Sequence, residues 1–118
     1  MMPRDTNAAG TIFGGVILSY IDQAGAEEAI FRGARRVVTV ALNQVVFHQP
    51  VYVGDLVSFY TELIAIGRTS VTVKVLVRAA RRTDRRHEID VTEAEITYVN
   101  VDRDGRPIPI ADQRGIEV

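Results

Sequence analysis

The sequence predicts an α+β domain of two layers, one long helix laid against an antiparallel sheet. Three observations predict it. A stripe of helical period occupies the first third of the chain. Four long β-branched runs follow it, with no second helical pattern among them. Turn compositions rich in glycine, proline or charge separate those runs. The chain of 118 residues is read as a single domain, residues 1–118, long enough to bury a modest core.

The helix comes first. Phe13, Val16, Ile17, Tyr20, Ala24 and Phe31 recur at helical spacings and are expected to form the face that meets the sheet. The pattern runs from about Ile12 to Arg32 and stops at Gly33, a natural residue to follow a helix end. Arg32, Arg35 and Arg36 crowd that end, where cations offset the helix dipole. At about 100° per residue, Asp22 falls roughly opposite the centre of the stripe. Its helical neighbours Gly15, Ser19 and Ala26 are all small. A lone acid among small residues lets another surface or a ligand approach the helix backbone. A solvated surface aspartate is the plain alternative.

The stretch before the helix is Asn7-Ala8-Ala9-Gly10-Thr11-Ile12-Phe13-Gly14-Gly15. Gly14 and Gly15 fall where backbone N–H groups have no intrahelical partner. Tandem glycines cost a helix about 1 kcal/mol each relative to alanine, so a pair there needs a local reason. Open amides at the positive end of the dipole can hold an anion, or a carbonyl oxygen gaining charge. A simple helix start with Thr11 as cap is the alternative.

Four strands are predicted downstream. Arg36 to Phe47 is β-branched and expected to be buried on both faces. Pro50 marks its end, and Val53-Gly54-Asp55 reads as a turn. Leu56 to Ile66 is the second strand, Gly67-Arg68 a tight hairpin, and Thr69 to Ala79 the third. In that third strand valines at 71, 73, 75 and 77 alternate with polar residues. Residues 81–86 form a charged connection, whose arginines read as solvated or as phosphate contacts. Glu88 to Val101 is the fourth strand, closed by a turn at 102–105. The tail from Arg106 is expected to be loosely held. A sheet with exposed edges invites pairing with a second copy, so a homodimer is expected.

Bulk properties narrow the function. Net charge is −1, which argues against a nucleic-acid partner. There is no cysteine, hence no disulfide or thiol chemistry, and with two histidines no metal site is expected. No stretch is apolar enough to span a membrane, and the first residues lack a signal-peptide core. A cytoplasmic location is expected.

Pro3, Asp5-Thr6-Asn7, Gly10, Ile12-Phe13-Gly14-Gly15 and Asp22 resemble the opening motif of the hotdog-fold acyl-CoA thioesterases, specifically the bacterial YciA-like group. The resemblance continues in Val37-Val38-Thr39-Val40, Phe47-His48-Gln49-Pro50-Val51, Val53-Gly54-Asp55, Gly67-Arg68-Thr69-Ser70 and Val91-Thr92-Glu93-Ala94. It implies a hotdog fold, a long central helix wrapped by a curved sheet, with dimers formed by joining sheets edge to edge. A hexamer built as a trimer of dimers is the larger form seen among relatives. Met1 to Thr6 make a short lead where related thioesterases usually have a strand. Either the sheet lacks that strand or the chain starts upstream.

The resemblance also implies the chemistry: hydrolysis of an acyl-CoA to free coenzyme A and a carboxylic acid. Asp22 would act as general base or nucleophile, with amides near Gly14 and Gly15 as the oxyanion hole. Asn7 of one subunit would share a site with Asp22 of the other; alone, it reads equally as a turn residue. Gly67, Arg68, Thr69 and Ser70 match a segment that touches the coenzyme, and are otherwise an ordinary hairpin. No cofactor is expected, because coenzyme A belongs to the substrate. His48 is expected to hydrogen-bond locally. A hotdog hydratase or dehydratase would need a histidine with an acid, and none pairs at short spacing. A non-catalytic acyl-CoA binder is the third reading; as a regulator it would need a DNA-binding segment for which no room remains.

Overall fold

The computed structural model describes residues 14–110. The order is α1 (Gly14–Phe31), β1 (Val37–Phe47), β2 (Leu56–Ile66), β3 (Ser70–Arg81) and β4 (Asp84–Asn100). The strands form one antiparallel sheet in the order β1-β4-β3-β2. Tight turns join β2 to β3 and β3 to β4, whereas β1 pairs with the last strand. Both β1 and β2 are therefore edges among the described residues.

The core lies between α1 and one face of the sheet. Val71, Val73, Val75 and Val77 of β3 and Val91, Ala94, Ile96 and Tyr98 of β4 line that face, and all are buried. The alternation of β3 is the one its sequence predicts: odd residues point to the helix and even ones away.

The helix turns a different face to the sheet than its apolar stripe suggests. Its buried row is Ile17, Ile21, Gly25 and Ala29, each four residues after the last. Tyr20 and Phe31 are 38% and 79% exposed and lie on a flank, with the Tyr20 ring 6.1 Å from that of Phe59 in β2. Two small residues in the buried row let the helix sit close to the sheet, so bulk is not what marks the core side here. Asp22, one residue on from Ile21, lies on the opposite flank beside the core rather than across from it.

The helix end matches expectation. Gly33 has φ of +116°, its N–H donates to the Ile30 carbonyl, and the Ala34 N–H reaches back to Ala29. That is the paired-bond termination glycine makes possible.

Three further expectations need correction. β1 is largely exposed rather than buried on both faces, with Val38, Val40, Leu42, Val46 and Phe47 open. Its β-branched composition suits burial, but as an edge it has a neighbour on one side only. It also carries a bulge, with Gln44 at φ of +53°. Next, the charged connection at 81–86 shrinks to a two-residue turn at Arg82-Thr83, because Arg81 and Asp84 already pair as strand residues. Finally, residues 106–110 are docked. Ile108 N–H donates to the Asn100 carbonyl, Ile110 N–H to the Arg68 carbonyl, and the Ile110 side chain is buried.

The buried Asn100 side chain ties this end of the molecule together. Its Oδ1 accepts from Arg35 N–H at 2.8 Å and Arg36 N–H at 3.3 Å, and its amide donates to the carbonyls of Ile108 and Pro109. A buried amide with both ends satisfied fixes two otherwise separate segments.

Candidate active site

Asp22 is half-buried between the helix and the β1–β4 side of the sheet. The Thr39 hydroxyl donates to its Oδ1 at 2.8 Å. The Tyr98 hydroxyl donates to its main-chain carbonyl at 2.7 Å and also stands 3.2 Å from Oδ1. Residues 39 and 98 face each other across the β1–β4 ladder, so the sheet delivers both groups to the same turn of the helix. Among the described residues Oδ2 has no such partner. One oxygen is thus anchored and the other available.

Tyr98 is 1% exposed. Its burial first, and then the charge and hydrogen bond of Asp22, push the phenol well above its ordinary pKa of 10.0. It therefore remains a neutral donor across the physiological range. Its position depends on Gly25: a Cβ there would come within 2.3 Å of the Tyr98 oxygen. The small residue one turn from Asp22 makes room for the tyrosine that holds Asp22.

The other sequence-predicted residues are placed as follows. Gly14 and Gly15 begin α1 and are exposed. A Cβ at Gly14 would meet the Phe47 ring at 3.2 Å, while one at Gly15 would meet nothing within 4 Å. Gly14 borders a cavity of about 300 Å³ lined also by Ile17, Phe47, His48, Pro50 and Thr92, at the far end of β1 from Thr39. Seven and eight residues separate the glycines from Asp22, about 10–12 Å along a helix. The structure does not bring the glycines and Asp22 of one chain together. Asn7 lies outside the described residues. The Gly67–Ser70 segment is the β2–β3 turn, closed by the Gly67 N–H donating to the Ser70 carbonyl at 2.8 Å. It sits at the sheet end that holds Asn100, whose N–H donates to the Thr69 carbonyl.

His48 is hydrogen-bonded, but to a residue distant in sequence rather than locally: its Nε2 is 2.8 Å from Glu93 Oε2. Lys74 stands 3.5 Å from the other oxygen. A histidine–acid pair therefore exists, 45 residues apart in sequence. Its acid lies on the sheet face away from the helix and Asp22, since Glu93 and Lys74 occupy the outward-pointing positions of β4 and β3, while His48 also lines the cavity beside Gly14. Sequence reasoning missed Thr39 and Tyr98 as partners of Asp22. The signal for Tyr98 was available, a large polar aromatic on the helix-facing side of β4 opposite the only glycine in the helix interior. Among the described residues no group of three or more metal-ligating side chains is clustered. None of the described helices is long and apolar enough to cross a membrane.

Comparison with known proteins decides the family. A family model described as the thioesterase superfamily matches residues 9–85. The chain belongs to that superfamily. The acyl-CoA thioester hydrolase YciA of Salmonella typhimurium is 40% identical to it over 114 residues, 95% of this chain and 86% of that protein. A hexameric hotdog-fold thioesterase of Campylobacter jejuni superimposes with a TM-score of 0.84 at 48% identity, over 93% of this chain and 84% of that one. A hexameric thioesterase from Yersinia pestis gives 0.87 at 40% identity, over 94% and 89%. The fold is the hotdog fold, and the thioesterase groups with the acyl-CoA thioester hydrolases.

Proposed function

We propose that this thioesterase hydrolyses acyl-CoA in a site built from two protomers, with Asp22 of one as general base. The observation that carries this is the state of the carboxylate. Thr39 and Tyr98 fix Oδ1 and the backbone beside it, and Oδ2 is left to accept a proton from water. In the reaction, water adds to the thioester carbonyl as its proton passes to Oδ2. The carbonyl oxygen takes the negative charge and is received by amides at Gly14 and Gly15. The tetrahedral adduct then expels the coenzyme A thiolate, whose basicity is low enough to leave readily. The thiolate recovers the proton, and the carboxylic acid departs.

The helix spacing supports the two-protomer arrangement. One carbonyl cannot lie within hydrogen-bond reach of both Gly14–Gly15 and an Asp22-bound water about 10–12 Å away along the same helix. A second chain supplies the missing half, and Asn7 is assigned with the glycines to the half opposite Asp22. The apolar, exposed edge of β1 is the surface on which that chain would add its own strand. A homodimer is the smallest functional unit, and the hexamers of the Campylobacter and Yersinia proteins indicate a trimer of such dimers. Gly67–Ser70 contacts the coenzyme, and no separate cofactor takes part. The test is release of free thiol from acyl-CoAs of graded chain length, measured alongside Asp22→Ala. Turnover by the wild type and its loss in a folded variant are expected; turnover that survives the substitution would remove Asp22 from the mechanism.

A further inference from the structure

Two groups of arginines stand at opposite ends of the sheet, and they differ in what they do. At the β3–β4 turn Arg81 and Arg85 are engaged. Arg81 pairs with the Asp55 carboxylate, contacts the Pro50 carbonyl and stacks on Tyr52. Arg85 donates to the carbonyls of Ala80 and Gly54. At the other end Arg35, Arg36 and Arg103 line a cavity of about 360 Å³ together with Val101, Asp102 and Ile108. Among the described residues none of these three guanidiniums forms an ion pair.

The backbone that carries them is fixed. Asn100 accepts from the N–H groups of both Arg35 and Arg36, and holds Ile108 and Pro109 against them. Val101 N–H donates to the Arg36 carbonyl. Asp102 Oδ1 accepts from Asp104 N–H and Arg106 N–H, which sets the turn bearing Arg103. That use orients the one acid lining the cavity toward the turn, and the three arginines outnumber it. Clustered guanidiniums on a fixed frame, in excess over the acid beside them, suit a phosphate.

We propose that this cavity holds a phosphate of the nucleotide end of coenzyme A, which rests on the acyl-CoA reading above. Position favours it. The Gly67–Ser70 turn is bonded to the same Asn100 strand end. Arg36 is three residues from Thr39, about 10 Å along a strand, and Thr39 touches Asp22. The arm from thioester sulfur to diphosphate has thirteen bonds, about 15 Å extended at about 3.5 Å for every three backbone-like bonds. A coenzyme with its thioester near Asp22 is therefore long enough for its phosphates to reach the cradle.

The test compares acyl-CoA with the matching acyl-pantetheine, which lacks the nucleotide, in Arg35→Ala, Arg103→Ala and the control Arg86→Ala. Calorimetric titration with adenosine 3′,5′-bisphosphate runs beside it. The first two variants are expected to raise KM for acyl-CoA about tenfold, the loss of one charge-assisted contact, with kcat and acyl-pantetheine turnover unchanged. Bisphosphate binding should weaken in parallel, and Arg86→Ala should match wild type. Unchanged KM in both variants overturns the cradle while leaving the hydrolase reading intact. A change in assembly mass without a change in KM also overturns it and assigns the arginines to a neighbouring subunit's acid. If wild type cleaves neither thioester, the hydrolase reading falls, and bisphosphate binding that depends on Arg35 and Arg103 keeps the cradle. Absence of that binding removes both.

Discussion

Asp22 and Glu93 are each hydrogen-bonded at 2.8 Å to a side chain from another part of the fold, and their surroundings differ. Asp22 sits on the helix side of the sheet, half-buried, with one oxygen held by Thr39 and Tyr98 and the other available. Glu93 sits on the outer face, about a third exposed, with His48 on one oxygen and Lys74 near the other. By partner type Glu93 is the richer candidate, since an acid beside a histidine is a familiar catalytic pair. Geometry reverses the ranking. A base needs a free lone pair and an immobile support, and Asp22 has both. Glu93 is saturated by partners that are themselves exposed, which is how a surface ion pair looks.

The largest break to test is at the proposed base. Asp22→Asn keeps an oxygen to accept from Thr39 and Tyr98 but cannot take a proton. General-base contributions run to about 10²–10⁴-fold, so kcat should fall by about three orders of magnitude with KM little changed. Thiol-release kinetics with a thermal melt check it. Glu93→Gln should leave kcat where it is. If the two results were exchanged, catalysis would belong to the outer face, and the hydratase chemistry of a histidine–acid pair would have to be reconsidered.

The next effect acts through the support. Gly25→Ala would gain about 1 kcal/mol of helix propensity at an exposed site. Here the new methyl meets Tyr98 Oη at 2.3 Å and two ring carbons at 3.1 Å, in the packed core. Overpacking costs about 1–3 kcal/mol, so the urea midpoint should drop. Turnover should drop with it, because Tyr98 must leave Asp22. Tyr98→Phe is gentler. It removes the hydroxyl that holds the Asp22 carbonyl and Oδ1, for about 1 kcal/mol of stability and a several-fold loss in kcat. A stabilised Gly25→Ala enzyme with full activity would show that Asp22 needs no such support.

How much of this was legible in the sequence follows from what kind of signal each feature leaves. The helix, its glycine stop at Gly33 and the alternating β3 strand were readable, because period and turn chemistry are local. The face of the helix was not. Gly25 and Ala29 add nothing to an apolar count, so Tyr20 and Phe31 drew the stripe toward the wrong flank. β1 announced burial through its β-branched residues, but among the described residues of the single chain nothing covers them. The support of Asp22 comes from residues 17 and 76 positions away and the role of Asn100 from 64 and 65, distances that no local pattern encodes. Of the proposed site residues, Asp22 and the helix-start glycines were visible as motif, and the resemblance already implied a site shared by two subunits. The helix adds a spacing of seven and eight residues between the glycines and Asp22, about 10–12 Å, which fits that arrangement.

The smallest effect is the most specific to the contrast, and it is read by acid. The His48 hydrogen bond, set against partial desolvation and helped by the Lys74 charge, holds the Glu93 carboxyl below its ordinary value of 4.5. A group whose folded pKa is depressed contributes stability above its unfolded pKa and loses it as pH falls through the folded one. Wild type should therefore lose part of its stability below about pH 4.5 that Glu93→Gln, with nothing to protonate, loses less steeply. Urea midpoints at pH 7 and pH 4 for the two proteins measure it. Because Glu93 is exposed, solvent screens the pair, and the difference should be small and shrink further in high salt. Turnover at neutral pH should be the same in both. An acid-stability change without a change in kcat would mark Glu93 as a structural pair and leave Asp22 as the carboxylate that does chemistry.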